Sequence, residues 1–263
     1  MKMSKIRLCG AQKSFRNGSG EEQLALAPVD LEIAAGEFVC LVGPSGCGKT
    51  TLLNLLAGFE SPSSGMVEID GQPVVGPHAN RIMIFQDYGL YPWKSVLANV
   101  LFGLQARGIA PVEAHARGLQ ALELVGLQTA ARKHPHELSG GMKQRVAIAR
   151  ALAVQPDLLF MDEPFAALDA FTRLHLQDEL LRIWQESRTT VVFVTHDLDE
   201  AITLGQRVVL MAPKPGRIQR VIDVPLAYPR ERTRDDFARF RRELYEEFHL
   251  VHRQAAVDAE YSI

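Results

Sequence analysis

The chain is poor in cysteine and in any surplus of charge, and each shortage removes a class of function. Its three cysteines, Cys9, Cys40 and Cys47, are an odd number without paired spacing. Neither a disulfide framework nor a zinc site is expected, and the thiols are read as reduced. Lys and Arg number 29 against 31 Asp and Glu, a formal net charge of -2. That balance gives no electrostatic footprint for nucleic acid or for an anionic membrane surface. No apolar run approaches the roughly 18 residues of a membrane-spanning helix. The apolar runs, such as Phe38–Val42 and Val191–Val194, have the length of strands. Met1–Leu8 carries two lysines and an arginine but no apolar signal core, so secretion is not expected. Internal repeats and low-complexity tracts are absent as well. What remains is 263 residues, 47% hydrophobic and 23% charged, enough for a full core with ordinary globular composition.

Strand and helix signals alternate. Phe38-Val39-Cys40-Leu41-Val42 is continuously apolar, as expected of a strand buried on both faces, and it is followed by a Gly-rich turn and a helical stretch, Lys49–Ala57. Leu158–Met161, Val191–Val194 and Val208–Met211 are runs of the same kind. Such strands separated by helices predict an α/β domain with a largely parallel sheet. The N-terminal part differs: Ile6–Phe15, Leu26–Ile33 and Met66–Ile69 are short segments bounded by Gly, Asn, Ser and Pro, read as a smaller, mostly antiparallel β-layer. From about Val96 to Ala153 the period and the Ala, Leu, Gln and Arg content are helical. The stretch from about Lys214 is a charged, proline-bearing tail that ends in an amphipathic helix carrying Phe237, Phe240, Leu244 and Phe248.

Gly43-Pro44-Ser45-Gly46-Cys47-Gly48-Lys49-Thr50 matches G-x-x-x-x-G-K-[ST] in full, between a predicted strand and a predicted helix, which is the context the motif requires. The glycines allow backbone torsions that a side chain forbids. The turned amides then form an anion-binding nest, to which the helix start adds its positive dipole end. Lys49 can reach β- and γ-phosphates, and the Thr50 hydroxyl can ligate Mg²⁺. Cys47 reads as a small loop filler. Asp162 ends the run Leu158–Met161, at the strand edge where α/β sheets bind ligands, and suits a Mg²⁺ role. Glu163, the next residue, points to another side and can polarise a water.

Leu138-Ser139-Gly140-Gly141-Met142-Lys143-Gln144, before the helical run Arg145–Leu152, resembles the ABC signature, and it lies between the phosphate loop and Asp162 in the ABC order. Ser139 with Gly140 and Gly141 sits just before that helix, where hydroxyl, amides and dipole suit an anion. Gln86, after Ile82–Phe85, resembles the Q-loop glutamine. Phe165–Asp169 resembles the D-loop, His196 the switch histidine, and Phe15 the aromatic that stacks on adenine. The chain is thus similar, from about residue 4 to 215, to ATP-binding subunits of ABC transporters. Met142 and Ala166 depart from the commonest Gln and Ser, and Phe15 lacks the polar handle of Tyr or Trp.

The resemblance implies a P-loop NTPase (ABC ATPase) core with parallel sheet, N-terminal antiparallel β-layer and helical subdomain at about 87–153. The ATP-binding domain would span 1–235 and a helical tail 236–263. It implies ATP and Mg²⁺ as ligands. ATP would be bound by Phe15, Gly43, Pro44, Ser45, Gly46, Cys47, Gly48, Lys49, Thr50, Thr51 and Asp169, and, from a second cassette, Ser139, Gly140 and Gly141. Mg²⁺ would be held by Thr50, Gln86 and Asp162. Glu163 would be the general base, with His196, Gln86 and Lys49 completing catalysis. It also implies a homodimer of cassettes on separate integral-membrane permeases, peripheral on the cytoplasmic side of the inner membrane. A substrate-binding protein would be reached only through the permease, and no nucleic acid is expected. Tyr88–Lys94 is read as a permease-facing aromatic patch, with packing at the base of the helical insert as the competing reading. Gln86–Leu104, Ala57-Gly58-Phe59 and Asp162–Arg173 are similar to the nitrate/sulfonate/taurine importers. Import of a small anion or sulfonate is therefore expected, with a thiamine-precursor pyrimidine importer or a lipid exporter as alternatives.

Overall fold

The computed structural model describes residues 4–260 apart from Asn17 and Ser19. Residues 1–3 of the N-terminal stretch and 261–263 of the expected tail lie outside the described residues. The chain divides into two compact units, one of Met1–His78 with Thr190–Ile263 and one of Ala79–Thr189.

The first unit holds two layers of strands. Strands β1 (Ser4–Arg16), β2 (Glu22–Ala34), β4 (Ser64–Ile69) and β5 (Gln72–Pro73) form an antiparallel sheet in the order β2-β1-β4-β5. Leu8 faces Leu31, and Ile6 faces both Ile33 and Ile69 across the ladders. Along β2 the buried Val29, Leu31 and Ile33 alternate with exposed Asp30 and Glu32, the period of a sheet with one face on a core. In the other layer β3 (Phe38–Val42) runs parallel to both β8 (Thr190–Thr195) and β9 (Arg207–Ala212). Every residue of β3 and β8 is buried, as in parallel strands covered on both faces. The Phe38 and Phe193 rings meet at 5.9 Å, and each such buried side chain contributes about 2–3 kcal/mol. Helix α1 (Lys49–Ala57), found at the residues the sequence marks, buries Leu52, Leu53, Leu55 and Leu56 completely. Near the start of β9, Arg207 pairs with Glu37, whose carboxylate also accepts the Ala34 amide at 2.7 Å, tying the β2–β3 turn in place.

One stretch differs from its sequence reading. Arg217–Asp223, taken as part of a charged tail, is strand β10, antiparallel to β9 with Ile222 opposite Val208. Polar composition hid it. The nearly wholly buried β9 needs a backbone partner on that side, and an edge strand supplies one whatever its side chains. Beyond it, helix α7 (Asp235–Glu260) buries Phe237, Phe240 and Leu244 near α6 (Leu198–Leu204) and β9.

In the second unit β6 (Arg81–Ile84) and β7 (Leu158–Asp162) pair in parallel, Ile84 opposite Met161. Helices α2 (Val96–Ala106) and α3 (Pro111–Leu124) pack on α4 (Gly140–Ala153), and α5 (Ala170–Ser187) follows β7. Ser95 caps α2 by accepting the Ala98 amide at 3.2 Å, and Pro111 opens α3 where its missing N–H costs nothing. Asn99 is wholly buried, and its side chain anchors the turn before α2. It accepts the Tyr91 amide at 2.8 Å and donates to the carbonyls of Tyr91, Lys94 and Ser95 at 3.0–3.2 Å. Asn99→Ala removes all four bonds and strands a buried amide. Urea unfolding should register a loss of about 3 kcal/mol, and a loss below about 1 kcal/mol would mean that the turn is held by something else.

Candidate functional site

The loop between β3 and α1 is built by backbone conformation. Gly46 and Gly48 take φ of 77° and 87°, in the left-handed region where a side chain costs roughly 1 kcal/mol or more. These torsions turn successive amides toward one point. The first turn of α1 holds no acidic residue, so its dipole end faces that point unopposed. Lys49 is only 7% exposed and folds over the loop, its Nζ donating to the carbonyls of Gly43 and Pro44 at 2.8 and 2.9 Å. Cys47 is fully buried beneath. Burial pushes its thiol pKa up while Lys49 pulls it down, as befits a loop filler.

A pocket of about 340 Å³ opens beside this loop, within the size range of small-molecule sites. Gly46, Gly48, Lys49, Thr50 and Thr51 form one wall, and Phe15, Gln23, Leu24 and Ala25 form a second. Phe15 is 41% exposed, with the Lys13 ammonium 5.0 Å from its centroid. Lys13 itself pairs with Glu60 at 2.7 Å. The third wall, Lys214, Pro215 and Gly216, was missed by the sequence reading, which took these residues for tail. The Pro-Gly dipeptide was the available signal of an ordered turn. Gly216 is stitched to β2: it accepts the Ala27 amide at 2.8 Å and donates to Ala25 at 3.0 Å.

At the end of β8, His196 is exposed between two fixed neighbours. Thr195 donates its hydroxyl to Glu200 at 2.6 Å and accepts the Asp197 amide at 3.0 Å. Asp197 caps α6 by accepting the Asp199 and Glu200 amides at 2.8 and 3.2 Å.

The second unit gathers the remaining predicted residues in two places. Asp162, 6% exposed, ends β7, and Glu163 follows with φ of 47°. A left-handed glutamate is costly, roughly 1–3 kcal/mol, and the kink turns Glu163 away from the strand line. Ile84 pairs with Met161, so Gln86 leaves β6 at the same edge as Asp162. Elsewhere Ser139 caps α4 by accepting the Met142 amide at 3.3 Å. The sequence reading put Gly140 and Gly141 before the helix; α4 instead begins at Gly140, because the Ser139 cap lets the glycines enter the first turn. A Cβ on Gly141 would lie 3.2 Å from the Ala167 carbonyl, so the signature turn abuts the loop that ends at Asp169. Asp169 caps α5, and the Thr172 amide it accepts at 3.0 Å holds its carboxyl below the usual range.

A methyl group on Gly216 would meet the Cys47 carbonyl at 2.5 Å and that of Ala25 at 2.8 Å. Gly216→Ala should therefore displace the third wall and weaken nucleotide binding about tenfold, some 1.4 kcal/mol, by titration calorimetry. Gly76→Ala, with nothing within 4 Å of its Cβ, is the matched control, and equal affinity of the two variants would remove the third wall from the site.

The ABC transporter family matches residues 26–166. The nitrate import ATP-binding protein NrtD of Synechococcus elongatus is 50% identical over 212 residues, covering 80% of this chain and 77% of its own length. The aliphatic sulfonates import ATP-binding protein SsuB of Bacillus subtilis is 45% identical over 229 residues, 87% of this chain and 89% of its own. Among solved structures, a dimeric ATP-binding cassette in a post-hydrolysis state bound to ADP and Pi aligns at a TM-score of 0.78 with 34% identity, covering 84% of this chain and 100% of that one. With its phosphate loop, its two β-layers and more than half its length inside one family, the chain belongs to the ABC transporter family.

Proposed function

We propose that this chain is the ATP-binding and ATP-hydrolysing subunit of an ABC importer that energises uptake of a small anion or sulfonate. The observation that carries the ATPase reading is the single pocket in which an exposed aromatic face, an amide nest and Lys49 line the same space. The import reading is supported by the nitrate and sulfonate relatives. Residues 1–235, with the helical subdomain at about 87–153, are the nucleotide-binding domain in this reading, and 236–263 the tail.

Phe15 offers a ring face to adenine. Gly43–Gly48 present amides to the phosphates, and Lys49 exchanges the Gly43 and Pro44 carbonyls for β- and γ-phosphate oxygens. Two cassettes pair, a reading supported by the dimeric structural neighbour; in it they meet head to tail, and Ser139–Gly141 of one close over the ATP of the other, with Asp169 beside that contact. Glu163 polarises the attacking water, and Gln86 and His196 position it and the γ-phosphate. Thr50, Gln86 and Asp162 offer only oxygen donors, the hard set that suits Mg²⁺, and these residues would hold it. When bound, Mg²⁺ neutralises charge on the phosphate oxygens.

Among the described residues no helix is long and apolar enough to cross a membrane, so in this reading separate permease subunits hold the chain at the cytoplasmic face. Trp93, 72% exposed, stands beside Tyr91, whose ring meets that of Phe102 at 4.7 Å in a tilted contact. This aromatic group is the permease contact, since interface anchors are drawn from such side chains. The transported solute meets the permease and its binding protein, never this subunit.

Glu163→Gln should lower turnover at least about 100-fold, the scale of one acid–base group, with ATP affinity within about twofold. Wild-type turnover in the purified variant would remove Glu163 from catalysis. Disruption of the gene should abolish growth on one of taurine, an alkanesulfonate or nitrate as the only sulfur or nitrogen source. The intact gene, and not Lys49→Ala, should restore it. Normal growth on all three would leave the ATPase and overturn the anion assignment.

A further inference from the structure

The segment that follows β10 grips helix α6 at the end away from His196. Tyr228 donates its hydroxyl to the Leu204 carbonyl at 2.7 Å. Arg230 donates from Nη1 to the carbonyls of Ile202 and Gly205, both at 2.5 Å, and from Nε to Leu226 at 2.9 Å. Its guanidinium stacks 4.0 Å from the Tyr228 ring centroid. Three carbonyls at the C-terminal end of α6 are thereby capped, two of them by a cation that also complements the negative dipole end. Further along, Arg232 donates to the Thr203 hydroxyl at 3.3 Å, and Arg241 of α7 pairs with Asp199 at 3.4 Å.

Helix α6 has seven residues, too few to hold a place by itself, so its position is set by what grips it. At its other end the Asp197 cap and the Thr195–Glu200 bond lock it to the end of β8, with His196 between them. Glu200 is 5% exposed, and a buried carboxylate bonded to a strand end transmits displacement of the helix to that end. Burial pushes the Cys40 thiol pKa up, with Glu200 adding to the rise and Arg230 opposing it, and Cys40 lies on β3 between β8 and β9, so both ends of α6 border the same desolvated core.

We infer that Arg230, with Tyr228, is a positioning residue for ATP hydrolysis: by fixing the C-terminal end of α6 it sets the place of His196 at the other end. The inference rests on the reading of His196 as the γ-phosphate contact. The segment Leu226–Arg232 is thus part of the catalytic apparatus without touching the nucleotide, and the tail beyond it can bear on turnover through Arg241 and Asp199.

The test is steady-state ATP hydrolysis by the full-length chain, with radiolabelled phosphate release so that slow variants are measurable. Arg230→Gln should lower kcat about tenfold and leave KM for ATP within twofold, and Arg230→Lys, which keeps the cation and loses the fork, should recover to within about threefold of wild type. In a His196→Ala background Arg230→Gln should have less than a twofold further effect, because residues that act through one another are not additive. An unchanged kcat, a KM that rises with the loss, or a full tenfold additional loss in the His196→Ala background each overturns the inference. Should Arg230→Gln fail to fold, Tyr228→Phe removes the one hydroxyl donation to Leu204: a roughly threefold lower kcat at unchanged KM supports the clamp, and wild-type kinetics sink it. Wild-type turnover of His196→Ala alone is the separate outcome that removes the histidine's role, and the inference with it.

Discussion

Strand β3 lies parallel between β8 and β9, and the first unit's chemistry depends on that packing. A parallel strand buried on both faces has no freedom of register, because a shift of one residue would exchange its two apolar faces and misplace every ladder bond. Val42 sits opposite Thr195 and Leu210. The phosphate loop, His196 and the turn that leads to Gly216 therefore leave the layer along one edge. The loop's shape comes from Cys47 buried beneath it and from left-handed Gly46 and Gly48.

Charge is arranged economically around these edges. The anion-binding loop uses amides and a helix end, with Lys49 as the sole full cation within the motif, its ammonium bonded to carbonyls of the loop it serves. Other helix starts, among them α4 at Ser139 and α5 at Asp169, are closed by side-chain caps, whereas the cap position of α1 is Gly48. With neither a side-chain cap nor a first-turn acid, α1 leaves its amides open to a ligand from the same unit. The acidic residues that serve hydrolysis in the proposed reading, Asp162 and Glu163, stand at the end of β7 in the second unit. A strained backbone at Glu163 separates their directions.

Much of this was legible in the chain itself. Continuous apolar runs marked β3, β7, β8 and β9 because burial on both faces demands them, and Gly, Lys and Thr spacing marked the loop because phosphate chemistry demands it. Strand β10 was not legible. Its side chains are half-buried or exposed, none fully buried, and only the neighbouring β9 makes the strand necessary. The wall at 214–216 was hidden for a similar reason, since the pocket it closes is formed by segments distant in sequence. The capping of α4 by Ser139, with both glycines inside the helix, depended on a difference of two residues that composition does not resolve.

By itself, then, the sequence determined the elements whose residue types are dictated locally: apolar strands, the glycine torsions, the cation and hydroxyl of the phosphate loop, and the ordered motifs of the ABC family. Only the tertiary structure decided that Lys214, Pro215 and Gly216 share a pocket with that loop and with Phe15. It likewise decided that Arg230 and Tyr228 cap the helix following His196. These are long-range hydrogen bonds and contacts, and their partners are chosen by the packing of strands rather than by neighbours in the chain.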